Sequence, residues 1–138
     1  MVRILPSTQF QSSKRVSQKQ TQAQSTIQSW WQTVSAHCER FFEDSGGFNR
    51  EHSPRKVNNL MVALKREYNA IENAECPRGA LAARYDLLKA MSDMIASFEA
   101  SLSDNNWDAV QHLHDGLVHL QYLHFTLESL NLTFDVAV

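Results

Sequence analysis

The sequence predicts an all-α protein: an antiparallel four-helix bundle over residues 25–138 behind a disordered N-terminal tail over residues 1–24. Three observations carry that expectation. Apolar residues recur at three- and four-residue spacing along four segments, the period of helices buried on one face. The 138 residues include only 4 Gly and 3 Pro, too few breakers for the frequent turns of a sandwich or barrel. The connections near residues 75–77 and 103–105 are short, which returns each helix alongside the one before it.

Residues 1–24 are rich in Gln, Ser and Thr and show no apolar period, so they bury too little surface to offset the entropy of ordering. The first helix is expected over 25–44. Ile27, Trp30, Trp31, Val34, Cys38, Phe41 and Phe42 form its stripe, and Gly46-Gly47 is read as its stop, with a loop over 48–52. Ser53 is a capping residue for the second helix, and Pro54 occupies its first position, where a missing N–H costs nothing. Val57, Leu60, Met61, Leu64, Tyr68 and Ile71 line its buried side. Pro77 opens a third helix over 77–103 with the stripe Leu81, Tyr85, Leu88, Met91, Ile95, Phe98 and Leu102. Asp104 or Asn105 caps the fourth, over 106–130.

That last helix is apolar on two sides. Val110, Leu113, Leu117, Leu120, Leu127 and Leu130 make one face; Trp107, Val118, Tyr122 and Phe125 make another roughly opposite. A helix apolar nearly all round is the centre of a bundle or the seam of an oligomer. Residues 133–138 are β-branched and aromatic, an extended tail that packs or frays.

Charge is unevenly placed. Arg3, Lys14, Arg15 and Lys19 precede the first acid, Glu39, and the remaining chain holds nine basic residues against 15 acids. From residue 90 onward there is no Lys or Arg, only seven acids and four histidines, so that surface changes charge near neutral pH. No stretch is long and apolar enough to span a bilayer, and the opening residues lack a signal-peptide core. A cytoplasmic protein is expected, with an organelle as the alternative if residues 1–24 act as a transit peptide. Cys38 and Cys76 cannot build a disulfide framework and read as free thiols.

Candidate chemistry is sparse. His112, Asp115 and His119 share one face of the fourth helix and could offer a divalent metal three ligands; the competing reading is a solvated polar face, with no cofactor. His124, at the angle of Leu113 and Leu117, reads as a neutral core histidine. His114, beside Trp107, and His119 could make an assembly on that face pH-dependent. His37 and Cys38 are adjacent, so they point apart on a helix and form no dyad. There is no phosphate-binding Gly loop, His-Glu-x-x-His or Gly-x-Ser-x-Gly, which lowers the expectation of catalysis.

Arg50, Arg55, Lys56, Lys65 and Arg66, with the basic tail, could touch nucleic acid. The net-acidic domain favours charge pairing with the C-terminal half instead. Trp30-Trp31 is either a binding hot spot or a helix packed against two neighbours.

Within residues 85–130, a helix, an Asn-Asn-Trp-Asp turn and a second helix resemble the hairpin of flagellar export chaperones, where it lies at the N-terminus. His112-Leu113-His114-Asp115-Gly116 is similar to the histidine phosphotransfer motif in its His and Gly but lacks its Leu and Lys. Asp115 would repel a phosphate there, so no phospho-accepting histidine is assigned. The function expected is a non-enzymatic protein–protein interaction module: a small adaptor, chaperone or regulatory subunit with a protein partner or a second copy. Its interaction residues are Trp30, Trp31, Trp107, Val118, Tyr122 and Phe125.

Overall fold

The computed structural model describes the backbone of residues 7–48 and 53–134 and the side chains of residues 26–48 and 53–134. It contains helices α1 (Ser7–Phe48), α2 (Pro54–Asn73), α3 (Leu81–Leu102) and α4 (Asn106–Ser129), with a 3-10 turn at Arg78–Ala80 before α3. No strand occurs among the described residues.

α1 departs from expectation at both ends. It begins at Ser7 rather than near residue 25, because Gln, Lys, Arg and Ala are good helix formers and neither Gly nor Pro interrupts them. The expected disorder of residues 1–24 falls on residues 1–6, outside the described residues, and on a helical stretch whose side chains lie outside them too. Gly46-Gly47 does not stop the helix, which runs on to Phe48. Neither glycine has positive φ, and Phe48 stacks on Phe98 of α3 with ring centroids 4.2 Å apart, which ties the last turn to the core.

The buried stripe of α1 is otherwise the one read from sequence: Ile27, Trp31, Val34, Cys38 and Phe41, continued by Ser45 and Phe48 at the same spacing. Ser45 Oγ donates to the Phe41 carbonyl at 2.8 Å, which removes the cost of burying its hydroxyl. α2 buries Val57, Met61, Leu64 and Ile71 of the expected stripe, while Leu60 and Tyr68 are half-buried. Ser53 is its N-cap residue, without a side-chain capping bond, and Pro54 leads the helix.

Contacts between consecutive helices pair late residues with early ones. Gly47 lies against Leu60, while His37 and Arg40 meet Glu67. Lys65 Nζ reaches Glu99 at 3.0 Å, and Arg84 Nη2 donates to the Glu72 carbonyl at 2.7 Å. Ser97 Oγ donates to the Ala109 carbonyl at 2.7 Å, while Asp86 lies beside both His119 and Thr126. Neighbouring helices therefore run in opposite directions around one core.

Two chain reversals use short polar residues in the left-handed region. Asp104 (φ 59°) follows α3 and Asn131 (φ 60°) follows α4. In each, the next N–H folds back onto the last turn: Asn105 N–H to Ala100 O and Leu132 N–H to Leu127 O, both 2.8 Å. Asn105 then caps α4 as expected, its side chain accepting from Asp108 N–H at 3.2 Å. The Asn131 reversal turns the tail inward, so Leu132 and Phe134 are buried. Residues 135–138 lie outside the described residues.

One charged group is set into this core. Glu67 is 8% exposed, hydrogen-bonded to Arg40 Nε at 3.1 and 3.2 Å and to His37 Nδ1 at 2.8 Å. His37 Nδ1 also lies 2.8 Å from Arg40 Nη2. It can donate to the carboxylate or accept from the guanidinium, not both at once. Burial raises the Glu67 carboxyl, but bonds from His37 and Arg40 outweigh it and hold the group below its ordinary value. A depressed carboxyl stabilises the fold above its unfolded value, and that stability is lost as pH falls through the folded one. Glu67→Gln should therefore cost about 2 kcal/mol at pH 7, the scale of bonds to a charged group. The gap to wild type should shrink as pH drops through the carboxylate range. Urea melts from pH 7 to 3 check this; a gap independent of pH would contradict it.

Candidate interaction surface on the fourth helix

α4 meets α3 through a row of mostly small and polar residues beside its leucine stripe, with Leu120, Leu123 and Leu127 buried in the core. Ala83, Asp86, Ala90, Asp93 and Ser97 on α3 alternate three and four apart, as do Ala109, His112, Gly116, His119 and Leu123 on α4. The two rows meet in opposite directions. Ser97 bonds the Ala109 carbonyl; His112 Nδ1 lies 3.5 Å from Asp93 Oδ1; His119 Nδ1 lies 3.6 Å from Asp86 Oδ1. Between these two rungs the helices touch backbone to backbone. A Cβ on Gly116 would stand 3.3 Å from the Ala90 carbonyl oxygen and 3.4 Å from Asp93 Cβ. Heptad spacing with small residues at the contact lets two helices approach this closely.

This seam leaves each face read from sequence only partly buried. On α3, Leu88, Met91, Ile95 and Phe98 of the expected stripe are buried, joined by Ala83, Leu87 and Ala90, while Leu81, Tyr85 and Leu102 are exposed. On α4, Gly116, Leu120, Leu123 and Leu127 are buried, and Val110, Leu113 and Leu117 are exposed. His124 is exposed as well, so the reading of it as a neutral core histidine is corrected. The physical reason is shared: a leucine stripe holds helices apart, whereas the Gly116–Ala90 contact admits them.

The displaced leucines line a groove of about 350 Å³ between the end of α1 and the first half of α4. It is lined by Phe42 and Phe48 of α1, Phe98 of α3, and Val110, Leu113 and Leu117 of α4.

The outermost face of α4 points directly away from α3. Trp107 is 73% exposed, Phe125 72% and Tyr122 54%; Val118, between them, is half-buried. Tyr122 and Tyr85 both set ring edges against His119, at 6.1 and 6.2 Å. Four of the six expected interaction residues therefore share one open face.

The other two do not. Trp30 and Trp31 are both buried, so the reading of a hot spot there gives way to a helix packed on two neighbours. Trp31 Nε1 donates to the Thr133 carbonyl at 3.0 Å, and its ring meets Phe134 edge-on at 5.4 Å. Cys38 is fully buried, and burial drives its thiol far above the ordinary value, so it is no nucleophile.

The expected metal face is divided. His112 and His119 turn toward Asp93 and Asp86 of α3, while Asp115 is exposed and lies 3.5 Å from His114. Among the described residues no group of three or more His, Cys, Asp or Glu side chains comes together. Lys65 pairs with Glu99, so that basic residue of α2 meets an acid of the C-terminal half. No helix among the described residues is long and apolar enough to cross a membrane. Comparison with family models, with curated proteins and with solved structures finds no match to the chain.

Proposed function

We propose that the chain is a non-enzymatic protein–protein interaction module whose working surface is the outer face of α4. One observation carries the reading. Trp107 and Phe125 stand 73% and 72% exposed on a helix that has already buried its opposite side. Folding does not account for them: a residue that contributes nothing to the core has no reason to be Trp or Phe on stability grounds. Exposed aromatics are costly to keep in water and are the residues most enriched at binding hot spots. A contiguous apolar patch beyond a few hundred Å² is unusual on a chain that stays alone. Val110, Leu113 and Leu117, exposed along the groove, extend the apolar surface around the helix.

Affinity capture from native lysate tests this reading, comparing the wild-type chain with a Trp107→Ser/Phe125→Asp double variant. A stoichiometric component, whether another protein or the chain itself, should be held by the wild type and lost from the variant. Because both side chains are exposed, the melting temperature should change by no more than about 2 °C. Equal capture by both would overturn the proposal.

A further inference from the structure

The open row on α4 sets apolar and uncharged polar residues in a regular order. Trp107, Gln111, His114, Val118, Gln121 and Phe125 follow one another at intervals of four, three, four, three and four, a heptad seam on the face opposite α3. No charged residue interrupts it. All are exposed except Val118, which is half-buried. The row is also symmetric about the level of Gly116. Trp107 and Phe125 are equally far from that point, as are Gln111 and Gln121, and His114 and Val118.

A helix with that property complements a copy of itself running the other way. With a two-fold axis at the level of Gly116, Trp107 of one copy lies across from position 125 of the other. The two glutamine positions face each other, and His114 meets position 118. Two-fold contacts are isologous, so one self-complementary patch is sufficient. We infer that the occupant of this face is a second copy of the chain. The two α4 helices form an antiparallel seam centred on Gly116. The inference rests on the interaction reading above and names its partner.

Area supports a second copy. The exposed fractions of Trp107, Tyr122 and Phe125, with about 150–250 Å² per aromatic side chain, leave roughly 400 Å² per copy to cover. Doubling across the axis gives roughly 800 Å², and the Gln111, His114, Val118 and Gln121 rungs carry it past the ~1,000 Å² of a specific interface. α4 is long enough: its 24 residues extend about 36 Å at 1.5 Å per residue. Charge adds a signature. The charges beside the seam are the acids Asp108, Asp115 and Glu128, with no Lys or Arg anywhere on α4. Two such helices repel weakly, and salt relieves the repulsion.

Sedimentation equilibrium of the full chain at graded concentrations tests the dimer. The wild type should be dimeric at micromolar concentration, and association should strengthen from 50 to 500 mM salt. Phe125→Asp should weaken it at least 100-fold, since the change appears twice per dimer, with an unchanged melting curve for the monomer. Weakening by salt would instead indicate the basic N-terminal segment against an acidic surface and would overturn the inference. Register is tested by oxidation of Gln111→Cys and Gln121→Cys variants. A mixture of the two should give a covalent dimer, and neither alone, nor the wild type with Cys38 and Cys76, should do so. Homodimers of Gln111→Cys alone would mean a parallel seam and overturn the arrangement. A wild type that stays monomeric at 100 µM overturns the homodimer. If capture is then still lost in the Trp107→Ser/Phe125→Asp variant, the interaction reading stands with a different partner; if not, both fall.

Discussion

Replacing Phe134 with Ala should lower stability by about 3–4 kcal/mol and the melting temperature by on the order of 10 °C. Phe134 lies past the last helix, where an aromatic residue would ordinarily be dispensable. Here the Asn131 reversal brings it back against α1, edge-on to Trp31 at 5.4 Å and tilted against Phe42 at 5.9 Å. It is 6% exposed, and the Trp31 indole N–H is satisfied by the adjacent Thr133 carbonyl. Removing the ring opens a cavity between these aromatics and loosens the Thr133 carbonyl that accepts from that buried N–H. Chemical denaturation of the variant checks the size of the effect. A loss below about 1 kcal/mol would mean that the tail does not close this end of the core.

Gly116→Leu should cost about 3 kcal/mol, the upper part of the range for overpacking a close contact. The first atom of any side chain at that position would already stand 3.3 Å from the Ala90 carbonyl oxygen, which is backbone and cannot rotate away. A leucine must push α3 and α4 apart, and both Asp–His rungs and the Ser97–Ala109 bond lie on that seam. Gly116→Ala is the control. It gains about 1 kcal/mol of helix propensity and meets a contact tighter than most, so it should fall near neutral. Urea melts of the pair separate the effects; a leucine variant as stable as the wild type would show that the helices do not meet at this point.

The parts of the fold legible in the sequence were those decided by local chemistry. Asn105 could be read as a cap, and Pro54 as a first helical residue, because each acts on the backbone beside it. The α1 stripe from Ile27 to Phe41 was legible because α1 has one apolar side. The outer α4 row was legible in part, since Trp107, Val118, Tyr122 and Phe125 stand at one angle of the helix. Its symmetry lay in the sequence too, in the glutamines and His114 that a search for apolar residues passes over.

The faces of α3 and α4 were legible only in part, for the opposite reason: Leu88, Met91, Ile95, Phe98, Leu120 and Leu127 are buried, but Leu81, Tyr85, Val110, Leu113 and Leu117 are exposed. Their apolar residues surround the helix, so hydrophobic period cannot select one side. The signal lay in the seven-residue spacing of Ala83, Ala90 and Ser97 on α3 and of Ala109 and Gly116 on α4, a pattern of smallness rather than hydrophobicity. Trp30 and Trp31 looked like a binding pair because adjacent helical positions diverge. They are both core because α1 has neighbours on two sides, one of them a tail that the helical period did not place.

By itself the sequence determined that the chain is helical, where most helices begin and turn, and that α4 carries more apolar surface than one core can use. These follow from backbone propensity, capping and periodicity, which act over a few residues. Only the tertiary structure decided which surface of α4 is left open. That choice depends on how near two backbones can come, and it was made at Gly116 and Ala90, where the least side-chain volume allows the closest approach.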